Sequence, residues 1–346
     1  MSKLHEKYMR RCLELARRGG KATQTNPWVG AVLVYNNRII GEGYHMKYGG
    51  PHAEINCLSS VKPLDKALIS RSTLYVSLEP CCIHSKTPPC TEAILENNIK
   101  KVVISINDPN EKVDSISTAL LREQGVEVLS GILSEEGCRV IAPFQAHLSK
   151  RPYIILKWAQ SADGYIGKRG KQVWLSNKLS KIKSHQWRTE VNGILIGYNT
   201  AVTDDPDLNA RLVQGDDPLR VILTNDMTEL KTKKVWVDNR PSLFVGDLPN
   251  ATVGNKEYHH CPIVEGDLKG LMGLLYIKDI HHLLIEGGSK TIKKFVNAGL
   301  WDECRVIKTP LAIKSGIRAP QVSGKVFHSE KLDSDVIEYI SQIKKC

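Results

Sequence analysis

The sequence lacks the features that would place the chain in a membrane or outside the cell. No apolar run among its 346 residues approaches the length of a transmembrane helix, and the charged N-terminus carries no apolar stretch of a secretory signal. The nine cysteines show no regular pairing of the kind found in disulfide-rich secreted domains. We therefore expect a cytoplasmic protein that is not bound to a membrane and whose thiols are reduced.

The sequence also has no internal repeat and no low-complexity tract. Its length suits two ordinary domains, and 41% hydrophobic with 25% charged residues is the composition of a soluble globular protein. A formal net charge of +11 would suit nucleic acid, but the lysines and arginines are scattered rather than massed in one stripe. A phosphorylated small-molecule substrate and cofactor account for the same excess, so we expect these and no nucleic acid.

One imidazole and two thiols form the pattern of a catalytic zinc site. His52 begins a predicted helix, Cys81 follows a predicted strand, and Cys90 begins another predicted helix. Three protein ligands leave the fourth position of a tetrahedral zinc for water, whose pKa the metal lowers to about 7. Glu54 lies two positions after His52, off the ligand face of a helix, where it can shuttle protons instead. This order of residues is typical of zinc-dependent nucleobase deaminases.

Each half of the pattern also has an ordinary explanation. A single His-x-Glu is common by chance, and neighbouring cysteines in an intracellular protein are more often buried thiols than ligands. The joint pattern favours zinc, because both halves lie where a helix begins and a helix N-terminus favours the thiolate. Cys82 is expected to pack behind the site as a small residue and not to bind the metal.

Apolar periodicity predicts an α/β fold in both halves of the chain. A hairpin followed by alternating helices and strands implies a mixed sheet with helices on both faces in the first half. Lys150-Arg151-Pro152 is the predicted boundary, which gives domains at 1–148 and 152–346. Predicted helices are 3–18, 52–60, 90–95, 117–124, 134–147, 179–190, 268–275 and 290–298; predicted strands are 29–35, 38–45, 74–78, 101–106, 126–129, 153–158, 192–197, 219–224, 242–245, 282–285, 305–308 and 336–340.

The residues around the predicted zinc site resemble those of one family. The shared stretches are Asn26-Pro27-Trp28-Val29-Gly30-Ala31-Val32, Gly41-Glu42-Gly43-Tyr44-His45, Gly50-Pro51-His52-Ala53-Glu54, Leu78-Glu79-Pro80-Cys81 and Thr87-Pro88-Pro89-Cys90. They resemble the bifunctional enzymes of riboflavin biosynthesis, which join a pyrimidine deaminase to a ribosyl reductase. The long loop between the two cysteines separates this group from cytidine and tRNA deaminases, whose motif is Pro-Cys-x-x-Cys.

The resemblance implies a role for each matching residue of the first domain, which is similar to cytidine deaminase. The implied zinc ligands are His52, Cys81 and Cys90, the implied proton shuttle is Glu54, and the implied contacts to the pyrimidine or its ribose phosphate are Asn26, His45 and Lys86. The family usually has a substrate-contacting histidine two positions after the first zinc cysteine. Here that position is Ile83, and His84 follows one residue later.

The resemblance continues through the second half, whose implied fold is similar to dihydrofolate reductase. The matching stretches include Lys157-Trp158-Ala159-Gln160-Ser161-Ala162-Asp163-Gly164, Gly197-Tyr198-Asn199-Thr200, Asp204-Asp205-Pro206-Asp207-Leu208-Asn209-Ala210-Arg211, Pro218-Leu219-Arg220-Val221 and Glu286-Gly287-Gly288. That fold needs no Gly-x-Gly-x-x-Gly motif, and none occurs where a cofactor site would need it.

The second half is also assigned its contacts by resemblance. The implied NADPH contacts are Ala159, Trp174, Thr200, Asp204 and Asn225, and the implied substrate contacts are Gln172, Arg188, Leu208, Arg211 and Glu286. Gln172 stands where the family has serine. Arg188 and Arg211 suit a phosphate, because a guanidinium is a rigid and permanently charged fork.

We therefore predict two consecutive steps of riboflavin biosynthesis by one chain with Zn²⁺ and NADPH as cofactors. Zinc hydroxide would deaminate 2,5-diamino-6-(5-phosphoribosylamino)pyrimidin-4-one, and NADPH would then reduce the ribosyl group to ribityl. One alternative keeps the deaminase but makes the second domain inactive, because Ile83 and Gln172 depart from the family pattern. Another is a nucleic-acid-acting deaminase, which only the pI of about 9.1 favours. We also expect a homo-oligomer.

Overall fold

The computed structural model describes residues 2–84, 88–110, 114–168, 173–264 and 267–342. The contacts within the chain divide it into two compact units, with the division between Ser149 and Lys150. No helix in these ranges is both long enough and apolar enough to cross a membrane.

The described part of the first unit contains a mixed sheet of strand order β2-β1-β3-β4-β5. Its elements are α1 (Ser2–Arg17), β1 (Gly30–Tyr35), β2 (Arg38–Tyr44), α2 (Ala53–Ser59), β3 (Thr73–Leu78), α3 (Cys90–Glu96), β4 (Lys101–Ile106), α4 (Ile116–Glu123), β5 (Glu127–Leu129) and α5 (Ser134–Leu148), with 3₁₀ turns at Gly20–Thr23 and Pro63–Arg71. Strand β1 is antiparallel to β2 and β3, whereas β3, β4 and β5 run parallel.

Alternate side chains of the strands supply two separate hydrophobic layers, as the period of two in a strand requires. Ala31 and Leu33 of β1 pack in one layer with residues of α2, α3 and α4. Val32 and Val34, which point the other way, pack in a second layer with α1. The predicted α/β class, with a mixed sheet and helices on both faces, is confirmed in this unit.

Helix α2, which begins directly after His52, lies against the backbone of β2. A Cβ atom added at Gly43 would stand 2.2 Å from the backbone nitrogen of Cys57 and 2.6 Å from the carbonyl oxygen of Ala53. Only glycine allows such a close approach of strand and helix. This contact fixes the position of the helix that presents His52 and Glu54.

The second unit is built on a larger sheet of order β11-β12-β10-β9-β8-β13-β6-β14-β17-β16, with a separate ribbon of β7 and β15. Its elements are β6 (Tyr153–Gln160), β7 (Tyr165–Gly167), α6 (Lys178–Thr189), β8 (Gly193–Gly197), α7 (Tyr198–Asp204), β9 (Leu219–Leu223), α8 (Lys234–Val237), β10 (Ser242–Gly246), β11 (Ala251–Val253), β12 (Lys256–His260), α9 (Lys269–Ile277), β13 (His282–Ile285), α10 (Ser289–Asn297), β14 (Glu303–Lys308), β15 (Ile317–Arg318), β16 (Lys325–Leu332) and β17 (Asp335–Ser341). In this spatial order, all neighbouring strands between β12 and β14 are parallel. At the two edges, β11 is antiparallel to β12, and β17 is antiparallel to both β14 and β16.

The strands of the parallel region are buried on both sides, so they appear in the sequence as short continuous apolar runs. Helices α9 and α10 cover one face through residues such as Leu271 and Phe295. Helices α7 and α8 and strands β7, β11, β12, β15 and β16 were not predicted from the sequence. Strand β16 lies at an edge and is largely exposed, so its sequence lacks the apolar alternation by which a half-buried strand is predicted.

The contact between α2 and β2 predicts a strong effect of a single methyl group. Gly43→Ala should lower the free energy of unfolding of the first unit by about 1–3 kcal/mol or more, because the added Cβ meets backbone atoms that cannot rotate away. Gly273→Ala in α9 is the matched control, because a Cβ there meets nothing within 4 Å. Gly273→Ala should raise the free energy of unfolding of the second unit by roughly 0.5–1 kcal/mol. Denaturant unfolding measures both changes, and an unaffected Gly43→Ala protein would contradict the close packing of α2.

Candidate active sites

His52, Cys81 and Cys90 converge in the first unit although they are distant in sequence. Their ligand atoms all lie within 4.8 Å of one another. His52 Nδ1 is 3.3 Å from Cys90 Sγ and 3.4 Å from Cys81 Sγ. One nitrogen and two sulfurs at this spacing fit a tetrahedral zinc ion with a fourth position open. Cys82 does not belong to this group of candidate ligands among the described residues.

The starts of two helices bring the ligands together. His52 occupies the N-cap position of α2, and Cys90 is the first residue of α3. The backbone N–H of Cys90 donates to Cys81 Sγ at 3.4 Å, and the N–H of Thr91 donates to the Cys81 carbonyl oxygen at 3.2 Å. These bonds close the loop between the two cysteines. The pKa of the Cys81 thiol is lowered to about 4, because Cys90 and His52 both donate hydrogen bonds to the thiolate.

Glu54 lies in the first turn of α2 and is only 3% exposed. The Cys90 thiol donates a hydrogen bond to its carboxyl group. Burial raises the pKa of Glu54 to about 7, and the negative charge of Cys81 acts in the same direction. A carboxyl group with such a pKa can both accept and release a proton near neutral pH.

Asn26 and the buried His45 form a hydrogen-bonded pair beside the ligands. Asn26 Nδ2 donates to His45 Nε2 at 3.0 Å, and His45 Nδ1 lies 3.0 Å from the carbonyl oxygen of Pro51. Together these contacts fix the neutral tautomer that carries its proton on Nδ1. The His45 ring stands edge-on to the ring of His52, with centroids 5.6 Å apart. The third predicted contact, Lys86, lies outside the described residues.

His84 does not point into this cluster. Its side chain is 71% exposed, and Nε2 lies 2.9 Å from Glu92 Oε1 on the surface of α3. His84 therefore lies on the surface of the protein beside Glu92. It does not take the place of the substrate-contacting histidine that the family has where this chain has Ile83.

The sequence analysis missed Glu79, a buried carboxylate next to the cysteine loop. Glu79 accepts backbone N–H groups from Asp108 at 3.2 Å and from Ser115 and Thr118 at 3.0 Å each. The carboxylate therefore ties the end of β3 to the segments on either side of the undescribed residues 111–113. Burial raises the pKa of Asp108 to about 6, and the charges of Glu79 and Cys81 contribute. An acidic residue directly after strand β3 was the signal available in the sequence.

In the second unit, the predicted cofactor contacts line the carboxyl ends of neighbouring parallel strands. Ala159 lies near the end of β6, Thr200 follows β8, Asp204 ends the short helix α7, and Asn225 follows β9. Ligands of open α/β sheets bind at this edge. Trp174 is 67% exposed, and the Lys181 ammonium lies 4.9 Å from the centre of its ring.

A glycine pair at the same edge lets the strand ends pack closely beside the start of a helix. The Gly288 N–H donates to Thr200 Oγ1 at 2.9 Å, which joins the ends of β13 and β8. A Cβ at Gly288 would stand 3.1 Å from that oxygen, and one at Gly287 would stand 2.9 Å from the Cβ of Thr291. Helix α10 begins directly afterwards, and the N–H groups at a helix start attract phosphate. These features fit a dinucleotide such as NADPH.

Arg188 and Glu286, both predicted to contact substrate, bind each other. The guanidinium donates from Nε and Nη2 to the two carboxylate oxygens at 2.9 and 2.8 Å, and from Nη1 to the Asn209 carbonyl at 2.8 Å. Lys157 Nζ lies 3.5 Å from Glu286 Oε2. Burial alone would raise the pKa of Glu286, but the two cations lower it to about 2. The carboxylate is therefore ionised, and the Arg188 fork is already occupied.

Lys157 is a further residue at this site that the sequence analysis quoted but did not assign. The available signal was a lysine within the apolar sequence of strand β6. In the structure its side chain is only 15% exposed. Arg211 has a more open position, since its side chain is 42% exposed and Nη1 donates to Asn209 Oδ1 at 2.7 Å. Leu208 is buried with a positive φ, and Gln172 lies outside the described residues.

Comparison with known families gives one match for each unit. Residues 2–106 match the cytidine and deoxycytidylate deaminase zinc-binding region. Residues 152–337, more than half of the chain, match the RibD C-terminal domain.

Individual relatives match both units together. The chain is 35% identical over 321 residues to riboflavin biosynthesis protein RibD of Aquifex aeolicus, covering 91% of this chain and 89% of that one. It is 33% identical over 340 residues to RibD of Bacillus amyloliquefaciens, covering 95% and 90%. A Thermotoga maritima structure of a diaminohydroxyphosphoribosylaminopyrimidine deaminase/5-amino-6-(5-phosphoribosylamino)uracil reductase matches with a TM-score of 0.82 and 33% identity, covering 99% of each chain.

These matches confirm the family resemblance, the fold class and the predicted pairing of a zinc-dependent deaminase with an NADPH-dependent reductase. They agree with the cluster of zinc-type ligands in the first unit and with the helix start beside the strand ends in the second. The chain belongs to the RibD family of bifunctional deaminase/reductases in riboflavin biosynthesis.

Proposed function

We propose that residues 1–148 deaminate 2,5-diamino-6-(5-phosphoribosylamino)pyrimidin-4-one and that residues 152–346 reduce the product with NADPH. The observation that carries this proposal is the group of His52, Cys81 and Cys90 beside the buried carboxyl of Glu54. The name of the Thermotoga relative supplies the substrates. A phosphorylated small molecule, and not nucleic acid, is the proposed partner. A cytoplasmic homo-oligomer stays a prediction from the sequence.

The residues of the first unit can perform the deamination as follows. His52, Cys81 and Cys90 would hold zinc, which supplies a water of lowered pKa as the nucleophile. Glu54 accepts a proton from the attacking water and passes it to the exocyclic amine, which leaves as ammonia. A pKa of about 7 lets the same carboxyl group serve as base and then as acid. His45, with its tautomer fixed by Asn26 and Pro51, would orient the pyrimidine.

The second unit supplies position and charge for the reduction. Bound NADPH supplies the hydride that C1′ of the opened ribosyl group receives. The ribose oxygen released on ring opening also needs a proton. Lys157 and Glu286 form the buried ionisable pair at this edge of the sheet, and Arg188 holds Glu286 in place through two hydrogen bonds. Arg211, which keeps an exposed guanidinium, is the better phosphate contact of the two predicted arginines.

Incubating the purified, zinc-loaded protein with the diaminopyrimidine substrate tests the proposal. Ammonia should be released with or without NADPH, and NADPH oxidation should follow ammonia release with a lag. Ammonia release without any NADPH oxidation would support the alternative in which the second unit is inactive. Absence of both reactions would overturn the proposal.

Single cysteine variants test the ligand set. Cys81→Ser and Cys90→Ser should each lose most of the bound zinc, because a serine hydroxyl is a poor substitute for a thiolate ligand. Cys82→Ser is the control and should keep its zinc. Metal analysis of the purified variants reads out the result. Full zinc in Cys90→Ser, or none in Cys82→Ser, would show a different ligand set.

Paired variants test whether the two activities belong to separate sites. Glu54→Gln keeps the shape of the side chain but removes the titrating carboxyl, so ammonia release should fall by about 10²–10⁴-fold. NADPH oxidation with the deaminated substrate should stay within a few-fold of wild type. Arg211→Ala should do the reverse, raising the KM of the reductase and leaving the deaminase unchanged.

A full content of bound zinc shows that the first unit of Glu54→Gln is folded, and an unchanged KM for NADPH shows that the second unit of Arg211→Ala is folded. If Glu54→Gln disabled both steps in a zinc-loaded protein, the assignment of one reaction to each unit would have to be abandoned.

A further inference from the structure

One face of helix α6 connects two parts of the reductase site. Lys181, His185 and Arg188 follow each other at spacings of four and three residues, which places their side chains side by side on the helix. Lys181 at one end lies over the ring of Trp174, a predicted cofactor contact. Arg188 at the other end holds Glu286, a predicted substrate contact. His185 therefore stands between the two, and the proposed mechanism does not use it.

His185 is buried but has no partner. Its side chain is 2% exposed, and Nδ1 is fully enclosed without a hydrogen bond. No hydrogen bond or ion pair found among the described residues includes this ring. Buried polar groups are nearly always hydrogen-bonded, so an unpaired imidazole beside a binding site needs an explanation. Among the described residues, Nε2 is neither enclosed in this way nor hydrogen-bonded, so it is the ring atom that a bound ligand can reach.

The charges around His185 define the kind of ligand. Arg188, Arg211 and Lys181 are the positive charges that act on it, and Glu286 is the single negative group that does so. Burial, followed by Arg188 and Arg211, lowers the pKa of His185 to about 4, so the ring is neutral at neutral pH. A neutral ring carries one N–H. Because an unpaired buried donor is rarer than an unpaired acceptor, the proton belongs on Nε2 and not on the enclosed Nδ1.

The cations near His185 differ in how far they are already neutralised. Arg188 uses its guanidinium on Glu286 and Asn209. Arg211 lies 3.5 Å from Asp207 and keeps a side chain that is 42% exposed. The positive charge that is left for a ligand therefore comes from Arg211 and from Lys181, of which Lys181 lies over the Trp174 ring at the cofactor end of the helix. An anionic oxygen beside Arg211 would also be an acceptor for a neighbouring N–H.

We propose that His185 is a substrate-binding residue of the reductase unit, whose Nε2–H donates to the phosphate of the substrate beside Arg211. The inference rests on the proposed reductase function and deepens it. It assigns the phosphate to His185 and Arg211, and it gives Arg188 the separate task of holding Glu286.

Two variants of similar size separate binding from packing. The amide nitrogen of Gln reaches about as far as Nε2 of histidine, whereas Asn reaches only as far as Nδ1. His185→Asn should therefore raise the reductase KM for the phosphorylated substrate by about tenfold to 100-fold, the range for a hydrogen bond to a charged group. His185→Gln should stay within a few-fold of wild type. In both variants kcat and the KM for NADPH should change little, because the lost contact is made equally in substrate and transition state.

The deaminated substrate without its phosphate is the second arm of the test. If His185 binds the phosphate, His185→Asn and wild type should have equal KM values for this compound. Equal losses on both substrates, equal losses in the Asn and Gln variants, or a raised KM for NADPH would mean that the ring only packs, and would overturn the inference. So would an unchanged KM for the phosphorylated substrate in His185→Asn.

The deaminase rate of the same chain shows that the first unit is folded and zinc-loaded, and an unchanged kcat and KM for NADPH show that the second unit, which contains His185, is folded. The wild-type reaction separates a failure of this inference from a failure of the proposed function. A wild-type protein that does not oxidise NADPH with the deaminated substrate would overturn the proposed function, and this inference with it. A wild-type protein that does so, with a His185→Asn variant of the same KM, would overturn the inference alone.

Discussion

The hydrogen bond from the backbone N–H of Cys90 to the sulfur of Cys81 is the interaction on which the first site depends. It draws two cysteines at the ends of a long loop into one ligand pair at the start of α3. It also stabilises negative charge on sulfur, which a zinc ligand must carry. The third ligand, His52, is positioned by a different contact. Close packing at Gly43 holds α2 on the sheet, and His52 lies at the beginning of that helix. The same helix start carries Glu54 into the interior beside the thiols.

The second site meets the cost of a buried charge in another way. Glu286 lies at the end of a central strand, where burial disfavours its ionised form. Arg188 and Lys157 offset that cost, so the carboxylate stays charged and fixed in place. The two units thus use a helix start and an ion-pair cluster for the same purpose, which is to hold reactive groups in a defined charge state.

The sequence predicted those parts of the sites that depend on local order. The ligands His52, Cys81 and Cys90 could be proposed because each begins a helix or follows a strand, and such transitions have clear sequence signals. The buried parallel strands were predicted from short apolar runs. The three bonds of Glu79 could not be predicted, because its partners lie 29 to 39 residues away. Nor could the pairing of Arg188 with Glu286 across 98 residues, which gives that arginine a partner other than a phosphate. Both depend on how the chain returns to a strand end, which no local pattern encodes.

The most direct test of this account is X-ray absorption at the zinc edge of the metal-loaded protein. The arrangement of His52, Cys81 and Cys90 predicts two sulfur ligands at about 2.3 Å and two lighter ligands, one nitrogen and one oxygen, at about 2.0–2.1 Å. Three or four sulfurs would mean that Cys82 or another thiol closes the site and leaves no position for water. A shell without sulfur would mean that the metal is bound elsewhere. Either result would contradict an open zinc site built from the starts of two helices.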